Sequence, residues 1–167
     1  MSFPFQLTGG IDFPNKTLYL TGVLATVGGT GSHNAGLLGQ VFCGAKITGL
    51  VGGNPFTSVG INLFAEAGNI RVKVYDDTGA GNAPGTLLAQ SGSTDIPGTG
   101  WRDIACSGTV PANGILYIAF EVDSATSDVY ENSSGTQYNA VHTFGAGPDP
   151  FGSVATSADS WNMRISN

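Results

Sequence analysis

The sequence predicts an all-β protein built as an antiparallel sandwich of two sheets. Between positions 58 and 123 apolar and polar residues alternate, and clusters of Gly, Pro and Asn interrupt the alternation. In the segment IRVKVY the residues Ile70, Val72 and Val74 share one face of a strand, while the two basic residues and Tyr75 share the other. Such alternation is typical of strands that bury one face and expose the other to water.

Turn signals divide the rest of the chain into short strands, and no segment has the periodicity of a helix. Strands separated by turns of this kind about every ten residues are typical of all-β sandwiches. We expect strands near 17–27, 38–49, 57–66, 69–76, 86–92, 101–107, 115–123, 137–144 and 160–166.

The N-terminal residues are predicted to form an arm separate from the sandwich. Residues 1–15 contain two prolines and a Gly-Gly pair, which exclude a helix. Residues 16–167 form the single sandwich domain. The phenylalanines of the arm have no regular face to bury, so we expect them to pack on a partner surface and to carry assembly; they are Phe3, Phe5 and Phe13.

The composition indicates a folded domain with a weakly charged surface. Among 167 residues 41% are hydrophobic, and two Trp, five Tyr and nine Phe suit a packed core rather than a disordered chain. Only 11% of the residues are charged, and 26 are glycine. The six basic residues form no cluster and the net charge is −6, which excludes nucleic acid as a partner. A surface this poor in charge suits packing against identical neighbours or against sugar.

The order of the strand and turn motifs resembles a known family. The motifs are IRVKVYDD from position 70, PGTLL from 84, GW at 100, VPANG from 110, ILYIAFEVD from 115 and FGAGPDPFG from 144, followed by a closing strand. This order is similar to the non-catalytic jelly-roll modules of secreted bacterial surface proteins and phage virion proteins, which are similar to carbohydrate-binding modules. The resemblance covers positions 41–167 and implies a jelly-roll-like sandwich.

The resemblance implies a non-enzymatic structural or decorating protein on the exterior of a phage-like virion, with identical subunits and other virion proteins as partners. The alternative is a carbohydrate-binding or adhesion module of a bacterial or archaeal cell surface, extracellular and with glycans as partners. The virion is favoured because the segment after Met1 lacks the basic start and apolar run of an export signal. No apolar run approaches the 18 or so residues of a membrane span, so membrane insertion is not expected.

The two cysteines are both predicted to face the core. Cys43 alternates with Val41 and Ala45, and Cys106 alternates with Ile104. Two interpretations stay open: buried free thiols that behave as small hydrophobic groups, or a disulfide between the layers that forms in an oxidising medium. Neither cysteine has a second metal ligand nearby in the sequence.

Aspartates at the ends of strands are the weak candidates for a metal site. Calcium needs six to eight oxygen ligands, and turn carbonyls could supplement the carboxylates. The chain has no regularly spaced acidic loop, so we interpret these residues as solvated turn aspartates, with calcium as the weaker alternative and no other cofactor. The four candidates are Asp76, Asp77, Asp123 and Asp128.

No arrangement of residues points to catalysis. His33 and His142 lie in unrelated surroundings, and no Gly-x-Ser-x-Gly nucleophile turn occurs. Each Asp and Glu is explained as a turn residue or as an outward strand residue, which leaves no buried acid for a glycosidase pair. We therefore expect no enzymatic activity.

Aromatic residues are the remaining candidates for recognition. Trp101 and Trp161 occupy positions at which the resemblance implies core-capping residues. The tyrosines are predicted to lie on outer faces, where they either stack on sugar rings or are covered by a neighbouring subunit. The tyrosines proposed for surface or glycan contact are Tyr75, Tyr117, Tyr130 and Tyr138.

Overall fold

The structure is a computed structural model, and its described residues contain strands and turns but no helix. It describes residues 12–13, 16–17, 22–27, 33–35, 40–65, 68–96, 98–124, 128–132, 136–152, 155–157 and 160–167. Within these ranges no helix is long and apolar enough to span a membrane.

The described residues form sixteen strands. The strands are β1 (Asp12–Phe13), β2 (Lys16–Thr17), β3 (Val23–Val27), β4 (His33–Ala35), β5 (Gln40–Ile47), β6 (Pro55–Ala65), β7 (Asn69–Tyr75), β8 (Leu87–Gln90), β9 (Thr94–Asp95), β10 (Gly100–Thr109), β11 (Leu116–Val122), β12 (Asp128–Asn132), β13 (Gln137–Val141), β14 (Ala155–Ser157), β15 (Ser160–Trp161) and β16 (Met163–Ser166).

Fourteen of the strands form two seven-stranded sheets, β1 and β2 form a separate two-stranded sheet, and every described strand pair is antiparallel. The first sheet has the order β15-β12-β6-β16-β3. In addition, β10 pairs with β6, and β4 pairs with β12. The second sheet has the order β14-β13-β5-β11-β7-β8, with β9 also paired to β7. The prediction of an all-β protein with two antiparallel sheets is confirmed.

A core of apolar side chains from both sheets lies between them, as in a β-sandwich. The first sheet contributes alternate residues of β6, which are Val59, Ile61 and Leu63, and the second sheet contributes alternate residues of β7 and β11. The sequence correctly placed Ile70, Val72 and Val74 on this inner face. Period-two alternation predicted the core because each of these strands buries this face.

Each of the nine predicted strands overlaps a described strand, and the sequence missed several others. The missed strands are β1, β4, β9, β12 and β14, while β2 overlaps the predicted strand 17–27 only at Thr17. Four of the missed strands have only two or three residues, which is too short for an alternating pattern to identify them.

The outer face of the second sheet is covered, contrary to the sequence prediction. All seven residues of β11 are buried. The segment 142–152 covers this face: the Phe151 amide donates to the carbonyl of Gly85 at 2.9 Å, and the Phe151 ring packs edge-on against Tyr75 at 5.0 Å. The prediction of a wet outer face is therefore wrong at Lys73 and Tyr75, which are both fully buried.

The two tryptophans differ in environment. Trp161 lies in the core and packs edge-on against Phe120 with ring centroids 5.1 Å apart, as expected. Trp101 is only half-buried, so the expectation of a core position is wrong for this residue. Trp101 is three positions before the inward-facing Ile104 on β10. The two side chains therefore point to opposite faces, and Trp101 lies on the outer face of the first sheet.

The arm and the cysteines are described in part. Asp12–Phe13 pairs with Lys16–Thr17 across the predicted boundary at residue 15, while Phe3, Phe5 and the side chain of Phe13 lie outside the described residues. Cys106 is a buried free cysteine, as in the free-thiol interpretation. The side chain of Cys43 lies outside the described residues, so its predicted inward direction stays a prediction.

Candidate functional site

The outer face of the first sheet carries a row of aromatic and planar polar side chains. We call it the aromatic face and define it by Asn62, Phe64, Trp101, Asp103, Tyr130 and Arg164. The alternation of β6 directs Leu63 into the core and hence its neighbours outward. Trp101 lies directly opposite Asn62 in the ladder between β10 and β6.

An ion pair crosses the centre of the aromatic face above a glycine. Asp103 and Arg164 both pair in register with Gly60, from its two sides. Arg164 Nε lies 2.9 Å from Asp103 Oδ1, and Arg164 Nη2 lies 2.5 Å from Asp103 Oδ2. A Cβ at position 60 would lie 2.6 Å from Arg164 Cγ and from Asp103 Oδ1, so only glycine leaves room for the pair. The hydrogen bonds to Asp103 raise the pKa of Arg164.

The guanidinium of Arg164 also lies over Trp101, at 4.6 Å from the ring centroid. Trp101, Arg164 and Asp103 are therefore linked by a cation–π contact and an ion pair, which restrict the orientation of the indole. Because the two charges compensate each other, the centre of the aromatic face is polar but close to neutral.

A pair of aromatic rings forms the other end of the aromatic face. Phe64 on β6 and Tyr130 on β12 pack edge-to-face, with centroids 5.4 Å apart and planes at 87°. Phe64 is 37% exposed, although a large apolar side chain on a strand is usually covered. Aromatic rings offer a surface to apolar C–H groups, while an amide and a charge pair hydrogen-bond to hydroxyl groups. This combination can bind a flat, hydroxyl-bearing molecule.

A second polar cluster lies beneath the segment 142–152. Lys73 Nζ is 2.5 Å from Glu121 Oε1, and the two side chains are 0% and 1% exposed. The amide of Gly145 donates to the same carboxylate at 3.0 Å, and His142 Nε2 lies 3.8 Å from Glu121 Oε2. Burial lowers the pKa of Lys73, and the contact with Glu121 opposes this shift. The cluster attaches the segment to the sheet.

The apolar half of the covered outer face holds two of the predicted recognition residues. Tyr75 and Tyr117 are fully buried, so their prediction as surface or glycan contacts is wrong. They pack with Phe151, Ala119 and Ala140. A Cβ at position 147 would lie 2.9 Å from the hydroxyl of Tyr75, which shows how closely the segment approaches.

The other two predicted tyrosines lie in separate places. Tyr138 is half-buried and packs edge-on against Tyr117, with ring centroids 5.6 Å apart. Tyr130 belongs to the aromatic face. Sequence reasoning missed Phe64 and Arg164 as partners of Tyr130 and Trp101, although alternation with the apolar core residues placed both outward.

The aspartates proposed for calcium cap turns. Asp76 Oδ1 accepts hydrogen bonds from the backbone amides of Thr78 and Thr86, at 3.1 and 2.7 Å. Burial would raise the pKa of Asp76, but these hydrogen bonds outweigh burial and lower it. Asp77 accepts from Asn113 and Asp123 accepts twice from Asn69, while the side chain of Asp128 is not described. Among the described residues no group of three or more His, Cys, Asp or Glu could hold a metal ion.

Comparison with known proteins identifies no relative. No protein-family model matches the chain, no curated protein matches it, and no solved structure matches it. The resemblance to jelly-roll modules therefore stays a prediction.

Proposed function

We propose that the protein is a non-enzymatic β-sandwich module that binds a neutral carbohydrate on its aromatic face. The observation that carries this proposal is the row of Trp101, Asn62, Phe64 and Tyr130 on one face of the sheet beside a compensated charge pair. Phe64 is exposed, Trp101 and Tyr130 are half-buried, and Asn62 is buried beside them. These side chains lie on strands of one sheet, which hold them in fixed relative positions.

The dimensions of the aromatic face favour an oligosaccharide. Trp101, Phe64 and Tyr130 stand on three neighbouring strands, β10, β6 and β12. Neighbouring strands are about 4.8 Å apart, so the three rings span roughly 10 Å across the sheet. We expect a ligand of at least two sugar units, with its apolar ring faces against Phe64 and Trp101 and its hydroxyls near Asn62.

The charge of the aromatic face favours a neutral ligand. Arg164 would attract an anionic sugar, but both of its contacting nitrogens are occupied by the carboxylate of Asp103. Binding an anion there would require the Asp103 pair to separate. A neutral glycan leaves the ion pair intact. Its hydroxyl groups can hydrogen-bond to the remaining lone pairs of Asp103 and the remaining N–H groups of Arg164.

We further infer a jelly-roll topology for the sandwich. The strands β3, β16, β6 and β10 are neighbours in that order in the first sheet, and β5, β11, β7 and β8 are neighbours in the second. Along the chain these eight strands alternate between the sheets, except that β7 and β8 are consecutive in one sheet. Jelly rolls have eight strands in this arrangement, and they occur in lectin and viral capsid domains.

A second candidate function is decoration of a phage-like virion exterior, with identical subunits and other virion proteins as partners. The weakly charged composition, with 11% charged residues, favours a surface that packs against neighbours. Exposed apolar side chains such as Val141, at 89%, agree with such contacts. The two functions are compatible, since a decorating protein can also bind glycans.

The test is a glycan array followed by titration calorimetry with the strongest neutral hit. We expect Phe64→Ala and Trp101→Ala each to weaken binding by about fivefold or more, because an aromatic contact contributes on the order of 1 kcal/mol or more. Leu88→Ala is the matched control, since Leu88 is an apolar residue of the second sheet with 36% exposure. An array without a hit, or binding that survives both aromatic substitutions, would contradict the proposal.

A further inference from the structure

A pocket of about 130 Å³ opens at the edge of the sandwich, where β10 of the first sheet faces β7 and β9 of the second. We call it the edge pocket. Its apolar wall consists of Leu63, Ile70, Ile96 and Ile104, and its polar lining includes Arg102, Asp95 and Asp103. The apolar wall lies on the inner side of the first sheet, and Asp103 is the one residue that the edge pocket shares with the aromatic face.

Arg102 is the unusual residue of the edge pocket. It is two and four positions before Ile104 and Cys106 on β10, which are both buried. Its side chain therefore points to the same face as theirs, into the space between the sheets. Arg102 Nε is buried and has no hydrogen-bond partner among the described residues. A buried N–H without an acceptor costs free energy that a bound acceptor would recover.

In the described part of the chain, no salt bridge joins Arg102 to the acidic groups that border the edge pocket. Asp103 also borders the pocket, but its carboxylate is held by Arg164 on the opposite face. Asp95 is exposed at the rim, and no salt bridge joins it to Arg102 in the part of the chain that the structure describes. The edge pocket thus combines an apolar wall with one available cation.

We propose that the edge pocket binds a small carboxylate that carries one apolar group of about the size of a phenyl ring. A cavity of about 150 Å³ lined by aliphatic residues accommodates benzene, so a pocket of 130 Å³ has room for a ring or a short alkyl chain. A carboxylate matches the planar fork of a guanidinium and supplies the acceptor that Arg102 Nε lacks. This site is independent of the carbohydrate proposal.

The test is a titration of the full chain with 3-phenylpropionate, followed by amide chemical shifts. We expect saturable shifts at Ile96, Arg102 and Ile104 and a dissociation constant on the order of 1 mM, as for a small ligand with one ring and one ion pair. Propionate, which lacks the ring, and 3-phenylpropanol, which lacks the charge, should each bind about tenfold more weakly or worse.

Arg102→Gln should reduce the affinity for 3-phenylpropionate to that of 3-phenylpropanol. Lys46→Gln is the matched control, because it removes one positive charge from an exposed position of the second sheet and should leave the affinity unchanged. The chemical shifts of the wild-type protein test the proposal even if Arg102→Gln fails to fold. Absence of saturable shifts, shifts confined to other regions, or equal binding of the acid and the alcohol would overturn the proposal.

Discussion

Breaking the buried ion pair of Lys73 and Glu121 should destabilise the protein strongly. In Glu121→Gln the ammonium group of Lys73 would stay in a site with 0% exposure and lose the carboxylate that lies 2.5 Å away. Removal of one partner from a buried pair costs roughly 3–5 kcal/mol, because the remaining charge is uncompensated. For a domain of this size that corresponds to a fall in Tm of roughly 6–20 °C.

The matched control is Asp103→Asn, which breaks an ion pair of similar length at the surface. Asp103 is 47% exposed and Arg164 is 23% exposed, so this change should cost about 1 kcal/mol or less. The unfolding free energy of both variants is measured by urea unfolding, with one m-value fitted to both. The double substitution Lys73→Met with Glu121→Leu should restore the stability to about the wild-type value or above, since it removes both charges.

The pH dependence gives an independent reading of the same site. Burial lowers the pKa of Lys73 in the folded chain below its ordinary value, so the unfolded chain binds the proton more tightly. The contribution of Lys73 to the unfolding free energy therefore rises with pH between the lowered pKa and the ordinary value of about 10.4. The rise should be larger in Glu121→Gln. The reasoning would be refuted if Glu121→Gln lost no more unfolding free energy than Asp103→Asn and showed no rise of unfolding free energy with pH. That result would indicate that segment 142–152 leaves the pair open to water.

Phe151→Ala should cost roughly 3–5 kcal/mol in unfolding free energy, because the ring is 1% exposed and packs against Tyr75; a cost below about 1 kcal/mol in urea would contradict this packing. Burial raises the pKa of the Cys106 thiol to about 11, so Cys106 should resist iodoacetamide in the native protein and react in the unfolded chain. Because the thiol of the folded protein stays protonated to higher pH than that of the unfolded chain, its contribution to the unfolding free energy should fall as pH rises from about 8.5 to about 11. Alkylation of Cys106 in the native protein at neutral pH would contradict its burial. Deletion of residues 1–13, which removes Phe3, Phe5 and Phe13, should leave the Tm nearly unchanged and abolish self-association in ultracentrifugation; a large fall in Tm would instead make the arm part of the sandwich. Screens with ester, peptide and glycoside substrates should give background rates, and a turnover lost in a single carboxylate variant would disprove a non-enzymatic role.

Local alternation predicted most of the sandwich. Strands such as β7 and β11 bury one face against the opposite sheet, and that face recurs at every second residue. The pattern therefore identified the long strands of both sheets and placed Val72 and Ile118 inward. It could not assign the strands to sheets, because pairing between residues far apart in sequence leaves no local signal.

The covered face of the second sheet could not be predicted from alternation. Tyr75 and Lys73 follow the pattern of outward residues, and they do point away from the core, but segment 142–152 covers them. That segment is rich in Gly and Pro and has no periodicity. Its position depends on contacts such as Gly145 with Glu121, which join residues distant in the chain.

The aromatic face was within reach of the sequence. Trp101 is three residues from the inward Ile104, and Phe64 follows the inward Leu63, so alternation places both outward. The resemblance to a family implied a core position for Trp101 instead, and that implication was wrong. The glycine at position 60, which admits the pair of Asp103 and Arg164, becomes meaningful only with the strand register.

The most direct test of carbohydrate binding on the aromatic face is a map of amide chemical shifts during titration with the strongest neutral glycan from the array. We predict saturable shifts concentrated at Asn62, Phe64, Trp101 and Tyr130, with no comparable change around segment 142–152. Shifts confined to the second sheet or to the edge pocket, or no saturable shift at all, would contradict the assignment of the aromatic face as the binding surface.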